Sequence, residues 1–130
     1  MSVQYYLNKD IRIGDLKEAG FKVERDNDGT SPYSFIIESE KYKSWVGAIR
    51  LKGHNDNEDN LIVEELEGRF SHGGGCCMLE MCDKLDCKFI TDEDIDNALY
   101  TGEEITDKTF DSTTEEFRKY LSTPPTPPLE

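Results

Sequence analysis

The chain has 130 residues, with 28 acidic side chains, 15 basic ones and two histidines, which gives a net charge of −13 at pH 7. This length predicts a single domain whose core is large enough to fold alone. The strong negative charge argues against direct binding to nucleic-acid phosphates, which needs clustered Lys and Arg, and against binding to an anionic membrane surface.

The chain carries no recognisable targeting or membrane-spanning segment. Its first residues lack the basic and apolar regions of a secretory signal, and no apolar run approaches the ~20 residues that span a bilayer. The four cysteines lie together, at positions 76, 77, 82 and 87, whereas an extracellular disulfide framework spreads its cysteines along the chain. We therefore expect a soluble, cytoplasmic protein with free thiols.

The first half of the chain predicts one helix followed by a sheet. A helix is expected within residues 9–19, with Leu16 and Ala19 on its apolar face and Gly20 just after its end. Residues 3–7 are compatible with a short strand or with a lead-in to this helix. Strands are then expected at residues 21–25, 33–37, 45–51 and 61–70, with residues 26–29 forming a hairpin turn. Four strands joined by turns predict an antiparallel sheet. The pattern allows Trp45 on either face of this sheet, so it is expected either in the core or, if exposed, as an interface anchor.

The second half predicts three helices. After a glycine hinge at residues 73–75, an apolar stripe predicts a helix through Met78, Met81, Cys82 and Leu85. A capping box at residues 91–94 predicts the next helix, which has Ile95, Ala98 and Leu99 as its apolar face and ends at Gly102. A second capping box at residues 112–115 predicts a last helix with an apolar face of Phe117, Tyr120 and Leu121.

These elements predict an α+β fold, a four-stranded antiparallel sheet packed against helices. We expect a single domain over residues 1–121, followed by a disordered, proline-rich tail over residues 122–130. The composition of residues 122–130 therefore does not permit the packed structure that we expect of residues 1–121.

The acids are concentrated late in the chain. The window 91–117 holds ten acids and one base, Lys108. The positive end of the helix dipole favours acids at the two predicted helix starts, and solvated charge also keeps a small protein in solution. Neither effect explains the acids of the predicted connecting loop, which are Glu103, Glu104, Asp107 and Asp111. This excess indicates a surface that receives a cationic partner.

A dense negative surface accelerates association with a basic protein, and nucleic-acid-binding grooves are among the most basic protein surfaces. We therefore expect a non-catalytic domain that inhibits a basic, nucleic-acid-acting protein, as immunity proteins and virus-encoded defence inhibitors do, with carboxylates in place of phosphates. The residues expected to bind the partner are Asp92, Glu93, Asp94, Asp96, Glu103, Glu104 and Asp107.

Two other classes of function remain open at this point. A small thiol-dependent enzyme would use Cys76 or Cys77, since a helix N-terminus lowers a thiol pKa, with His72 or His54 as its base. A structural or assembly protein would use its charge only to stay in solution. The cysteine spacing does not match a structural zinc site, so no metal or cofactor is expected, and the oligomeric state is left open.

Overall fold

The computed structural model describes residues 2–26, 33–41, 43–53, 57–69 and 74–122. Within these ranges the strands are β1 (Ser2–Leu7), β2 (Lys22–Arg25), β3 (Phe35–Ser39), β4 (Ser44–Lys52), β5 (Ile62–Arg69) and β6 (Phe89–Thr91). The helices are α1 (Ile13–Glu18), α2 (Gly74–Leu85), α3 (Asp92–Thr101) and α4 (Asp107–Ser122), with a 3₁₀ turn at Glu58–Asn60. The predicted tail beyond residue 122 lies outside the described residues, as do residues 27–29 of the predicted hairpin turn.

The strands form one antiparallel sheet in the order β2-β3-β4-β5-β1-β6. The α+β class is confirmed, but the prediction of four strands was wrong because the described sheet has six. The two additional strands are β1 and β6, which pair with each other and, for β1, with β5. Neither strand is joined to its partner by a hairpin, so no local turn indicated their pairing.

One face of the sheet carries the core. Alternate residues of the strands point to the same side, and these are buried: Val3, Tyr5, Phe35, Ile37, Val46, Ala48, Leu66 and Phe89. Helices α2 and α4 pack on this side, and Phe117 of α4 meets Tyr5 and Phe89 edge-on at centroid distances of 5.9 and 5.0 Å. This aromatic cluster joins the last helix to the two strands that were not part of the predicted four-stranded sheet.

Helix α2 is the most deeply buried helix in the described structure. Its predicted stripe is confirmed, since Met78, Met81 and Cys82 are buried and Leu85 is partly buried. The helix begins at Gly74, so Gly74 and Gly75 belong to it rather than to a hinge, while Gly73 lies outside the described residues. Buried Glu80 accepts a hydrogen bond from Ser39 Oγ, which ties the helix to β3.

Helix α1 lies within the range in which a helix was expected and occupies its second part. Residues 9–12 are not helical, because Arg12 forms a bridge with Ile62 and the Ile11 carbonyl accepts from the Val63 N–H at 2.9 Å. The end of the helix agrees with the prediction, because Gly20 follows it with φ +99°, a conformation that favours glycine.

Helix α4 begins six residues earlier than predicted. The expected capping box at residues 112–115 lies inside the helix, and the helix instead starts after Thr106, whose N–H donates to Thr109 Oγ1 at 3.1 Å. Asp107 and Asp111 are therefore helical rather than in a connecting loop, and Asp107 gains the stabilisation that a helix N-terminus gives to an acid. The connecting segment is reduced to residues 102–106. Tyr120 is 56% exposed, so its predicted place on the apolar face was also wrong.

No helix among the described residues is long and apolar enough to cross a membrane.

Candidate protein-binding surface

Helix α3 follows β6 without an intervening loop, and its first turn is held by hydrogen bonds. The predicted capping box is confirmed: the Asp94 carboxylate accepts from the Thr91 N–H at 2.9 Å and from Thr91 Oγ1 at 3.2 Å. The helix ends at Gly102, whose φ is +76° and whose N–H donates to the Ala98 carbonyl at 2.8 Å. The local sequence therefore fixes both ends of α3.

Two of the seven predicted partner-binding acids form hydrogen bonds within the fold. Asp94 accepts a third hydrogen bond from Thr113 Oγ1 at 2.8 Å, which links α3 to α4. Asp92 accepts from the backbone N–H of Gln4 at 3.3 Å, beyond the end of the β1–β6 pairing. Both side chains are only partly exposed, so they hold the helix in place and offer little surface to a partner.

The other five acids are exposed. Glu93 and Asp96 lie on α3, Glu103 and Glu104 lie in the connecting segment, and Asp107 opens α4. Among the ion pairs of the described residues, none joins any of these five to a basic side chain. Two later acids of the window 91–117 do form ion pairs: Asp111 pairs with Lys88, and Glu115 pairs with Arg118. Within the window 91–117, the negative charge is thus less compensated around α3 and the segment that follows it than at Asp111 and Glu115.

Large apolar side chains accompany these acids. Leu99 is 79% exposed and Tyr100 is 93% exposed, and Ile105 reaches 36% in the connecting segment. The prediction that Leu99 faces inward was wrong, whereas Ile95 and Ala98 are partly buried as expected. Among the described elements, helix α3 packs mainly against β1 and β6, and none of its ten residues is buried, so most of its surface stays open.

Helical geometry places part of this set on one side. Residues 93, 96 and 100 are spaced three and four apart, so Glu93, Asp96 and Tyr100 lie along one side of the helix. We call the exposed set the α3 surface; it consists of Glu93, Asp96, Leu99, Tyr100, Glu103, Glu104, Ile105 and Asp107. Exposed apolar groups within a polar rim are typical of protein-binding sites. The sequence pattern indicated the acids of this surface but not its apolar members.

A second exposed aromatic group lies on the open face of the sheet. Trp45 is 46% exposed, so of its two expected positions the structure shows the exposed one, and the Tyr33 ring meets it edge-on at 5.7 Å. Tyr33 lies over Gly47, where a Cβ atom would come within 2.4 Å of the ring, and donates from Oη to Glu67 at 2.6 Å. This hydrogen bond raises the pKa of Tyr33 to about 12. Trp45 lies on β4 and Tyr33 lies just before β3, whereas α3 packs mainly against β1 and β6.

The cysteines do not provide a reactive thiol at the start of α2. Cys76 and Cys77 are buried, and burial raises the pKa of both, that of Cys77 to about 12. This is the opposite of the shift that the helix N-terminus was expected to cause, because desolvation disfavours the thiolate more strongly. His72 and His54, the two expected bases, lie outside the described residues. No group of three metal-ligating side chains occurs within the described ranges.

No protein-family model, curated protein or solved structure matches this chain.

Proposed function

We propose that this chain is a non-catalytic domain that binds a basic protein through the α3 surface and inhibits it. The observation that carries this proposal is the combination of five exposed acids, which form no ion pair within the described residues, with the exposed side chains of Leu99 and Tyr100. Acids that served only to keep the protein in solution would not require a leucine and a tyrosine exposed between them. The partner would be a cytoplasmic protein that acts on nucleic acid, in the manner of immunity proteins or virus-encoded defence inhibitors.

The charge supports rapid association. An uncompensated negative surface steers a basic partner during diffusion and can raise the association rate by about 10- to 1000-fold at low salt. Because Glu103 and Glu104 are exposed and form no ion pair with any basic residue that the structure describes, their field reaches solvent with little local neutralisation. Salt screens such a field, so the association rate should fall as ionic strength rises.

The aromatic ring supports affinity and suggests the kind of groove that is occupied. Grooves for single-stranded nucleic acid combine basic side chains with aromatic rings on which bases stack. On the α3 surface the carboxylates of Glu93 and Asp96 would stand in for phosphates, and the exposed Tyr100 ring would stand in for a base. A tyrosine that becomes buried at the centre of an interface is typically worth about 2 kcal/mol or more of binding free energy.

The first experiment isolates the partner and then tests the site. Immobilised protein is incubated with extract from its own source cells at low and high salt, and a retained basic protein is purified for kinetic measurement. We expect Glu103→Lys with Glu104→Lys to slow association about tenfold and to change dissociation little. Tyr100→Ala should mainly speed dissociation, because short-range contacts determine how long a complex lasts.

A matched control separates this surface from net charge. Glu18→Lys with Glu40→Lys changes the total charge equally, at exposed acids of α1 and of the β3–β4 turn. Helix α1 packs against β2, at the opposite end of the sheet from β6. If both double variants slow association equally, the site assignment is wrong. If the purified partner's activity on nucleic acid is unchanged at saturating concentrations of this chain, inhibition is wrong.

A further inference from the structure

The C-terminal end of α2 brings two cysteines together. The helix ends at Leu85, and Asp86 follows with φ +50°, in the left-handed region. The chain then turns back, so that the Cys87 N–H donates to the Cys82 carbonyl at 3.2 Å. This is the six-residue hydrogen-bonded turn that ends many helices, and the side chains at its two ends normally contact each other. Here both of these side chains are thiols.

The two thiols share one environment. Cys82 and Cys87 are each 4% exposed and hydrogen bond to each other, and the Cys87 thiol also lies 3.8 Å from the Met81 carbonyl. The hydrogen bond from Cys82 lowers the pKa of Cys87 and raises that of Cys82. Cys87 is therefore the better nucleophile of the pair, although both lie in the core.

The other two cysteines are placed differently. Cys76 and Cys77 are neighbours within the helix, and Cys77 Sγ contacts the Ile37 carbonyl of β3 at 3.7 Å. Successive positions of a helix diverge by about 100°, so their sulfur atoms point apart. A disulfide requires Cα atoms about 4.4 to 6.8 Å apart with converging Cβ atoms. The closed turn at the end of α2 favours this arrangement, while the helical pair opposes it.

We propose that Cys82 and Cys87 form a redox site, a dithiol that a small disulfide such as glutathione disulfide converts into an intramolecular disulfide. The Cys87 thiolate attacks one sulfur of glutathione disulfide, which forms a mixed disulfide and releases one glutathione thiolate. Cys82 then loses its proton to solvent and attacks the Cys87 sulfur, which releases the second glutathione. Two protein thiols are oxidised, and one glutathione disulfide is reduced to two glutathione molecules.

A disulfide at the end of α2 would affect the segment of the chain that follows this helix. The exposed residues Asp83, Lys84 and Asp86 lie beside the pair at the helix end, so opening of the last turn of α2 admits the oxidant. The turn leads into β6, and β6 leads directly into α3. A disulfide between residues 82 and 87 would therefore fix the exit of α2 and strengthen the anchorage of the segment that carries α3.

The test uses the full-length, reduced protein equilibrated in glutathione buffers of increasing oxidised fraction at pH 7.5. Acid quenching and alkylation with N-ethylmaleimide are followed by mass spectrometry. We expect a product that has lost two hydrogen atoms and binds two fewer alkyl groups. Trypsin cleaves after Lys84, so the disulfide should join the peptide 70–84 to the peptide 85–88.

Two cysteine variants and an unfolded control show whether the oxidation product is a disulfide between Cys82 and Cys87. Cys76→Ser with Cys77→Ser should oxidise as the wild type does, whereas Cys87→Ala should retain every remaining thiol or carry a single glutathione. Oxidation of the reduced chain in urea shows that the reagents are competent. The proposal is overturned if the folded protein keeps all four thiols when the unfolded chain has oxidised, or if the bond involves Cys76 or Cys77. Neither result bears on the α3 surface, so the two proposals fail separately.

Discussion

Three of the described helices are followed by a residue in the left-handed region, which is glycine after α1 and α3 and aspartate after α2. Gly102 follows α3 with φ +76°, and Asp86 follows α2 with φ +50°. A side chain at such a position strains the backbone, although aspartate tolerates it better than most residues. No heavy atom lies within 4 Å of the place where a Cβ atom of residue 102 would stand. The preference for glycine there is therefore conformational rather than steric.

This difference yields a pair of opposite substitutions. Asp86→Gly should raise the free energy of unfolding by about 0.5 to 1 kcal/mol, and Gly102→Ala should lower it by about 1 kcal/mol. Urea denaturation followed by circular dichroism measures both. A gain from Gly102→Ala would contradict the assigned conformation at the end of α3.

The hydroxyl of Tyr33 has a measurable titration. Its hydrogen bond to Glu67 raises its pKa to about 12, above the value of about 10 for a free tyrosine. The protonated form is therefore favoured in the fold, and its contribution to stability is complete below pH 10 and is lost as the pH rises from 10 through 12. Ultraviolet titration of phenolate should show a lower Tyr33 pKa in Glu67→Gln. Tyr33→Phe identifies the signal, and an unchanged titration in Glu67→Gln would exclude Glu67 as its cause.

Single residues also show which side-chain environments could not be predicted from the sequence. The acidic residues of the α3 surface are evident from the sequence, because charged side chains remain exposed unless they are paired. The exposure of Leu99 and Trp45 is not evident, since a helix or strand position predicts a face only when the packing partner is known. Asp94 was expected to bind a partner, yet its carboxylate accepts a hydrogen bond from Thr113 Oγ1 of α4.

At the scale of elements, α4 completes the sheet without being a strand. The free edge of β6 leaves the Phe89 N–H and C=O without a neighbouring strand, and Thr114 Oγ1 accepts from the N–H at 3.1 Å and donates to the carbonyl at 3.3 Å. Thr114 is 1% exposed, so these bonds are formed away from water. One helical side chain thus provides both hydrogen bonds that a strand would have provided.

This contact predicts a large effect of a small change. Thr114→Val keeps the shape of the side chain but leaves two buried backbone groups unpaired, which should lower the free energy of unfolding by about 2 to 3 kcal/mol. Thr114→Ser keeps the oxygen atom and should lose clearly less. Thermal unfolding of the two variants distinguishes these outcomes, and equal losses would show that packing rather than hydrogen bonding matters at this position.

Elements with a strong local pattern were predictable, and those defined by distant contacts were not. The stripe of α2, the capping box of α3 and the β2–β3 pairing follow from short-range spacing, and the structure contains all three. In contrast, β1 pairs with residues more than 60 positions away, so nothing adjacent to it in the sequence indicates a partner. The start of α4 was misplaced because residues 112–115 match a capping box by sequence but lie inside the helix.

At the scale of the whole molecule, the net charge of −13 opposes folding through self-repulsion. We expect Glu103→Lys with Glu104→Lys to raise the free energy of unfolding by up to about 1 kcal/mol at ~0.01 M salt, where the screening length is about 30 Å. The gain should shrink at ~0.5 M salt. Urea denaturation at the two salt concentrations measures this difference. Lower stability at low salt would mean that these acids support the local fold, and slower binding could then reflect misfolding.

The two margins of the sheet, which are its edge strands β6 and β2, affect whether the protein aggregates at high concentration. One margin is occupied, because Thr114 already satisfies the outer edge of β6. The other margin is β2, a strand of four residues with three charged side chains, Lys22, Glu24 and Arg25. Short, charged edges resist the addition of a foreign strand. Crowded molecules of this protein should therefore not extend one another's sheets into fibrils, even though each presents an apolar side chain and an aromatic ring to water on α3.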